Sequence, residues 1–178
     1  MRGVGRNVPI FGEKMKILIL SDAHGANRRI EGAIALHPDA ELILYLGDGS
    51  RGACDVFSTL PPNVAAVAVH GNCDGPFSGG LRDEEILDLE GHRILLCHGH
   101  RYGVKGGLGH LIASAKRQGA DIALFGHTHE RHEEYLPEYG LWLFNPGALS
   151  YPERGEPSFG LLTLTPTGLL FSHGELHD

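Results

Sequence analysis

Short apolar segments separated by polar turns occupy the first half of the chain and predict alternating strands and helices. Residues 17–20, 41–46 and 64–69 are apolar runs of the kind found in strands buried on both faces. Between them, residues 27–37 and 53–60 predict two short helices, each followed at once by proline. Strands joined through helices pair in parallel, so this half of the chain predicts a parallel sheet.

The second half of the chain predicts hairpins and one longer helix. Residues 82–89 and 92–97 form a strand pair around Glu90-Gly91, and residues 104–118 predict a helix that ends before Gly119. Further strands are predicted at residues 121–125, 131–136, 141–144, 159–164 and 169–173. The expected fold class is α/β, with two packed mixed β-sheets flanked by helices.

The first strand pattern starts at Met15, and this position suggests the domain boundary. Residues 1–14 lack the apolar core of a secretory signal, so we expect a poorly ordered N-terminal extension or a natural start at Met15. Residues 15–178 are then expected to form a single domain. This length is sufficient for one hydrophobic core.

Composition excludes several classes of partner. The formal net charge is −7 and no Lys/Arg run occurs, which argues against long nucleic acid as the main partner. No apolar run approaches the ~20 residues of a membrane span, so no membrane partner is expected.

The three cysteines include no CxxC pair, and this cysteine content is typical of a protein in the reducing cytoplasm. We also expect a homo-oligomer, either a dimer or a tetramer.

Polar clusters follow five of the predicted strands. They are Asp22-Ala23-His24, Gly47-Asp48, Gly71-Asn72-Cys73-Asp74, His98-Gly99-His100 and Gly126-His127-Thr128-His129. Ligands of α/β sheets collect at the carboxyl ends of strands, so these five clusters are expected to meet at one place. The glycines allow the backbone to turn sharply after each strand.

The chemistry of these clusters predicts a metal centre. Seven side chains are candidate ligands: Asp22, His24, Asp48, Asn72, His98, His127 and His129. Imidazole and carboxylate without a thiolate cluster suit Mn, Ni, Fe, Co or Zn. Seven ligands are too many for one ion with an open position, but they fit two divalent ions that share a carboxylate, typically ~3.5–4 Å apart. Such a centre stays positive and attracts a phosphate ester although the chain is acidic.

The order of these motifs resembles the calcineurin-like metallophosphoesterase superfamily, whose pattern is DxH, GD, GN, H and GHxH. Within it, the chain is most similar to the small YfcE-like phosphodiesterases, which share Gly71-Asn72-Cys73-Asp74 and a late Asn145-Pro146-Gly147 turn. The resemblance implies a first metal on Asp22, His24, Asp48 and His129. It implies a second metal on Asp48, Asn72, His98 and His127, with Asp48 as the bridge.

The resemblance also implies the activity. It assigns hydrolysis of a small phosphodiester by a hydroxide that two metal ions activate, with manganese favoured among the candidate metals. The residues expected to act in catalysis are Asp48, Asn72, Cys73 and His100. His100 either binds the phosphate or is a turn residue beside the site. Asp74 either orients a ligand histidine or caps a turn.

Cys73 is the main departure from the superfamily pattern, which usually places histidine after the motif asparagine. A thiol is a poorer proton donor at neutral pH and carries no positive charge. This departure favours diesters with good leaving groups. The alternative is that Cys73 only packs beside the site.

The competing functions are a phosphomonoesterase or nucleotidase, and a non-catalytic scaffold like a eukaryotic sorting-complex subunit. Intact residues at all seven ligand positions argue against the scaffold.

Overall fold

A computed structural model of the protein describes residues 14–75 and 80–177. The predicted extension, apart from Lys14, lies outside the described residues. The strands in chain order are β1 Met15–Leu20, β2 Leu42–Tyr45, β3 Ala65–Ala68, β4 Glu84–Leu89, β5 His92–Cys97, β6 Ile122–Leu124, β7 Arg131–Leu136, β8 Leu141–Pro146, β9 Ser158–Thr165 and β10 Gly168–Glu175. The helices are α1 Asn27–Leu36, α2 Ser50–Phe57 and α3 Gly109–Arg117. None of the helices in the described ranges is long and apolar enough to cross a membrane.

The strands form two five-stranded mixed sheets. The first has the order β10-β9-β1-β2-β3, in which β1, β2 and β3 are parallel and the β9–β10 hairpin is antiparallel to β1. The second has the order β4-β5-β6-β8-β7, with a parallel centre and antiparallel edges. The parallel strands of both sheets carry the predicted polar clusters at their carboxyl ends.

The central core lies between the two sheets. Alternate side chains such as Ile17 and Leu44 of the first sheet pack with Ile94 and Leu124 of the second, and all four are fully buried. The other faces are covered by helices, with α1 and α2 on the first sheet and α3 on the second. Because the central strands are buried on both faces, they are apolar at nearly every position. The predicted fold class is confirmed.

Two predicted helices have wrong boundaries. The helix predicted at residues 104–118 begins only at Gly109, and Val104–Gly106 is a separate 3₁₀ turn. Gly103 and Gly107 flank that turn with φ of 62° and 140°, outside the helical region. The helix predicted at residues 53–60 is Ser50–Phe57, because its first turn starts directly after the strand-end loop at Gly49.

Candidate metal centre

The side chains after β1, β2, β5 and β6 converge on one cluster. Asp22 Oδ1 lies 3.1 Å from His129 Nε2, 3.8 Å from His24 Nε2 and 3.9 Å from His98 Nε2. Asp48 Oδ2 lies 3.3 Å from His98 Nε2 and 3.9 Å from His24 Nε2. The Nε2 atoms of His24 and His129 are 3.3 Å apart. Five of the seven predicted ligands therefore bring their donor atoms to one point.

Asn72 and His127 complete the set on one side of this cluster. Asn72 Oδ1 lies 3.1 Å from His98 Nε2. The His127 ring centre is 5.0 Å from that of His98, and the His127 backbone N–H donates to Asp22 Oδ2 at 3.1 Å. The His100 ring is 5.4 Å from His98 and 6.2 Å from His127. The structure thus brings all seven predicted ligands together, with His100 beside them.

The backbone of the ligand loops is held in an uncommon conformation. Asp22, His24, Asp48, His127 and His129 have φ between 47° and 68°, although none is glycine. A non-glycine residue there costs about 1–3 kcal/mol and persists only where its surroundings enforce it. This geometry turns each loop back over the strand end, so that the side chain points into the cluster.

The tautomers of two histidines are set by backbone carbonyls. His98 Nδ1 donates to the Leu46 carbonyl at 2.7 Å, and His129 Nδ1 donates to the Tyr151 carbonyl at 2.7 Å. In the neutral imidazoles, Nε2 therefore carries the lone pair, and it faces the cluster. The buried Asp22 Oδ1 that these atoms face has no hydrogen-bond partner among the described residues. Converging lone pairs on nitrogen and oxygen fit a divalent cation at this point.

The electrostatics of the cluster also favour a cation. Although burial opposes ionisation, interaction with His98 holds the pKa of Asp48 well below its usual range. Burial lowers the pKa of His98, but Asp48 and Asp22 outweigh this and raise it, and the adjacent Asp22 carboxylate raises the pKa of His129. Imidazoles that bind protons this readily lie in a negative field, and a metal ion replaces such protons when it binds.

His127 differs from the other histidines. Burial lowers its pKa to about 4, and the positive charges of His98 and Lys105 act in the same direction. The imidazole is consequently neutral at pH 7, which is the form that coordinates a metal. Lys105 also lowers the pKa of His129. Its positive charge therefore influences both histidines.

Asp74 organises the loop that carries Asp48. Its carboxylate accepts hydrogen bonds from the backbone N–H groups of Asp48, Gly49, Ser50 and Gly71 at 2.8–3.0 Å and from Ser50 Oγ at 2.5 Å. It has no contact with a ligand histidine among the described residues. Of the two roles left open by the sequence, the structure supports the turn cap, which positions Asp48 and the start of α2.

In the Asn145-Pro146-Gly147 segment, where β8 ends, the Asn145 side chain holds the loop of His127 and His129 in place. Asn145 Nδ2 donates to the Gly126 carbonyl and to Thr128 Oγ1, both at 3.0 Å. Its Oδ1 accepts the Gly147 N–H at 2.9 Å. One amide side chain thus joins the end of β8 to the loop that begins 19 residues earlier, at Gly126.

Two glycines are required by close packing against the carboxylates. A Cβ on Gly71 would lie 2.2 Å from Asp48 Oδ1 and 2.3 Å from the Asp48 backbone nitrogen. A Cβ on Gly126 would lie 2.0 Å from Ser21 Oγ and 2.8 Å from Asp22 Oδ2. Both positions let one strand-end loop approach the next one without a side chain between them.

Cys73 is exposed at the edge of the cluster. Its backbone N–H donates to Asp48 Oδ1 at 2.7 Å, and its Sγ lies within 4.8 Å of donor atoms of both His24 and Asp48. Burial and the neighbouring Asp48 raise the pKa of the thiol to about 11, so it stays protonated at neutral pH. Its position beside the donors favours the substrate-facing interpretation over simple packing; its catalytic role stays a prediction.

His100 begins a 3₁₀ turn and faces a cleft of about 720 Å³. Burial and the positive charge of His98 lower its pKa, and its Nδ1 is buried without a hydrogen-bond partner among the described residues. The cleft is also lined by Glu84, Arg101 and Tyr102. None of the seven predicted ligands lines this cleft, so the phosphate-binding role of His100 rests on its ring distances to His98 and His127 and stays a prediction.

Two residues near the centre were not found by sequence reasoning. Lys105 lies on the 3₁₀ turn that the sequence pattern assigned to a helix, and Tyr151 lies in the loop before β9. The Tyr151 ring centre is 6.0 Å from that of His24. Neither residue belongs to a motif with defined spacing, so no sequence signal identified them.

Comparison with known proteins identifies the family. The model of the calcineurin-like phosphoesterase superfamily domain matches residues 15–167. Probable metallophosphoesterase YsnB of Bacillus subtilis is 34% identical over 84% of this chain and 85% of its own length. Phosphodiesterase YfcE of Escherichia coli is 32% identical over 83% of this chain and 87% of its own.

The solved structures agree in fold. Vacuolar Protein Sorting 29 from Cryptosporidium parvum superposes with a TM-score of 0.76 over 94% of each chain, at 20% identity. The identity is too low to indicate anything beyond the shared fold. The family model and the two bacterial relatives cover most of this chain, and the chain therefore belongs to the calcineurin-like phosphoesterase superfamily.

Proposed function

We propose that this protein is a metal-dependent phosphodiesterase that hydrolyses a small phosphodiester with the help of two divalent metal ions. The observation that carries the proposal is the buried, unpartnered Asp22 Oδ1, which faces the Nε2 atoms of His24, His98 and His129 within 3.9 Å. The similarity to a protein named phosphodiesterase, at 32% identity, supports the same reaction class.

The donor atoms would divide between two ions that share Asp48. Asp22, His24 and His129 would hold one ion, and Asn72, His98 and His127 would hold the other. The position of Asp48 Oδ2, 3.3 Å from His98 Nε2 and 3.9 Å from His24 Nε2, supports the bridging role. When bound, divalent ions of this kind lower the pKa of a water molecule and offset charge on the phosphate.

Manganese is our first candidate for the metal, and nickel, iron, cobalt and zinc suit the same nitrogen and oxygen donors.

The residues on the open side of the centre decide which ester is hydrolysed. The protonated Cys73 thiol offers only a weak hydrogen bond and no positive charge to the leaving oxygen. Lys105 supplies positive charge near His127 and His129, where it attracts the anionic ester. A diester with a stable leaving group needs little protonation, so this side of the site suits a diester better than an alkyl monoester.

Two alternatives differ in measurable ways. A phosphomonoesterase or nucleotidase requires a proton donor at the leaving group, and His100 is the available imidazole at this side. A non-catalytic scaffold requires no metal ligands, yet all seven ligand residues are present and brought together. The ligand geometry supports an enzyme over a scaffold.

The test is turnover of bis(p-nitrophenyl) phosphate and of an alkyl monoester, AMP, by metal-depleted protein. Each candidate metal would be added separately, and the bound metal would be counted by mass spectrometry. We expect about two ions per chain, activity that chelator abolishes, and higher kcat/KM for the diester. Higher kcat/KM for the monoester would support the nucleotidase alternative. No turnover with any of the five metals would refute an enzymatic role.

A further inference from the structure

Tyr151 occupies a backbone conformation that glycine adopts without strain. Its φ is 52°, in the left-handed region that side chains with a Cβ rarely enter. The carbonyl of Tyr151 accepts the hydrogen bond from His129 Nδ1 at 2.7 Å, which explains why the backbone turns there. That requirement concerns only the backbone, and glycine would meet it. The presence of a tyrosine therefore calls for a role of the ring itself.

The ring of Tyr151 is open to solvent at the rim of the metal centre. The residue is 76% exposed, more than any other exposed large hydrophobic residue in the described part of the chain. Its ring contact among the described residues is with His24, at 6.0 Å between centres and an interplanar angle of 59°. Since His24 Nε2 faces the metal cluster, the tyrosine ring lies one side chain away from the reacting centre.

Other exposed tyrosines have protein partners that cover a face. Tyr135 packs against Trp142 with ring centres 4.9 Å apart, and Lys116 Nζ lies 4.2 Å from the ring centre of Tyr139. Tyr151 has the greatest exposure and only the tilted imidazole beside it. A flat apolar face left free next to a phosphate-binding centre is suited to stack on a planar ring.

We infer that Tyr151 is the stacking platform for a planar ring attached to the substrate phosphate, either an aryl group or a nucleobase. The inference rests on the proposed function, because the phosphate must lie at the metal centre for its organic group to reach the tyrosine. Aromatic rings associate with centres 4.5–7 Å apart, and stacking accepts any flat π-system. Tyr151 thus selects esters with aromatic substituents over purely aliphatic ones.

Equilibrium binding separates this role from backbone support. Calorimetric titration of the manganese-loaded protein would compare AMP with ribose 5-phosphate, and phenylphosphonate with methylphosphonate. Each pair has the same anionic group and differs in the ring. The wild-type protein is expected to bind the ring-bearing member of at least one pair more tightly. The pair that shows this preference indicates whether Tyr151 stacks on a nucleobase or on an aryl group.

The variants test the ring directly. Tyr151→Gly relaxes the backbone and keeps the carbonyl that holds His129, so it is expected to fold and bind manganese normally. It should reduce the preference for the ring-bearing ligand by about tenfold, within the range for one stacked base. Tyr151→Phe retains the ring and should retain the preference. Tyr139→Ala, at the opposite end of the second sheet, is the control and should leave both affinities unchanged.

The outcomes distinguish this inference from the proposed function. If Tyr151→Gly binds all four ligands as the wild type does, or if neither pair shows a ring preference, Tyr151 is only a backbone anchor. The phosphodiesterase proposal would then still stand. If the manganese-loaded protein binds none of the four anions, the inference is wrong, and turnover of bis(p-nitrophenyl) phosphate decides separately whether the proposed function stands.

Discussion

The interior and the rim of the candidate metal centre are built in opposite ways. In the interior, Asp22, Asp48 and His98 are at most 2% exposed and are tied to neighbouring loops by hydrogen bonds. At the rim, Cys73 and Tyr151 are exposed. The interior must keep several ligand atoms in place at once, whereas each rim residue contacts few neighbours. Changes in the interior should therefore affect metal binding, and changes at the rim should affect the choice of substrate.

The largest effect is expected for Asp48→Asn. This change keeps the size of the side chain but removes the charge that the two proposed metal ions would share, so metal content and diester hydrolysis should each fall by more than about 100-fold. Metal analysis and bis(p-nitrophenyl) phosphate hydrolysis provide the measurement. Asp39→Asn, which removes only an exposed ion pair with Lys16, is the matched control. Full activity of Asp48→Asn would show that Asp48 is not the bridge.

A smaller effect on the interior is expected for Gly71→Ala. The added Cβ would displace Asp48, which should lower manganese affinity by about tenfold and the free energy of unfolding by about 1–3 kcal/mol. Gly75→Ala is the control, because no described atom lies within 4 Å of a Cβ at that position. Thermal unfolding and metal titration of both variants check the prediction. Equal behaviour of the two variants would mean that close packing at Gly71 does not position Asp48.

At the rim, Cys73→His is expected to change specificity rather than metal content. An imidazole beside the leaving oxygen can donate a proton to a poor leaving group, which should raise the ratio of kcat/KM for AMP to kcat/KM for bis(p-nitrophenyl) phosphate by about tenfold or more. Cys73→Ser, which introduces no comparable acid, should leave the ratio near the wild-type value. An unchanged ratio in Cys73→His would contradict the argument that this site lacks an acid.

The smallest effect is expected for Lys105→Ala. Loss of one exposed charge should raise KM for the diester by about threefold with little change in kcat, and added salt should reduce the difference. Lys116→Ala, which removes a lysine that lies over Tyr139, is the control. Steady-state kinetics at two salt concentrations would measure the effect. A fall in kcat without a change in KM would contradict simple attraction of the substrate.

The strands and the strand-end positions of the candidate ligands can be predicted from the amino-acid sequence alone. The central strands are buried on both faces, so they appear as continuous apolar runs that are readable locally. Parallel strands place their carboxyl ends at one edge of a sheet, which predicts that Asp22 and Asp48 of the first sheet lie together; His98 reaches them from the carboxyl end of β5 in the second sheet. These inferences depend on features that lie within a few residues of one another.

How the candidate ligands are held, and which residues surround them, depends on the assembled fold. His24 and His129 are 105 residues apart in the chain, and Asp74 binds a loop more than 20 residues away. The role of Asp74 and the positions of Lys105 and Tyr151 depend on contacts between separate loops. The start of α3 depends on the φ angles of Gly103 and Gly107. Local pattern encodes burial and strand position, whereas the packing of one loop against another arises only after the sheets assemble.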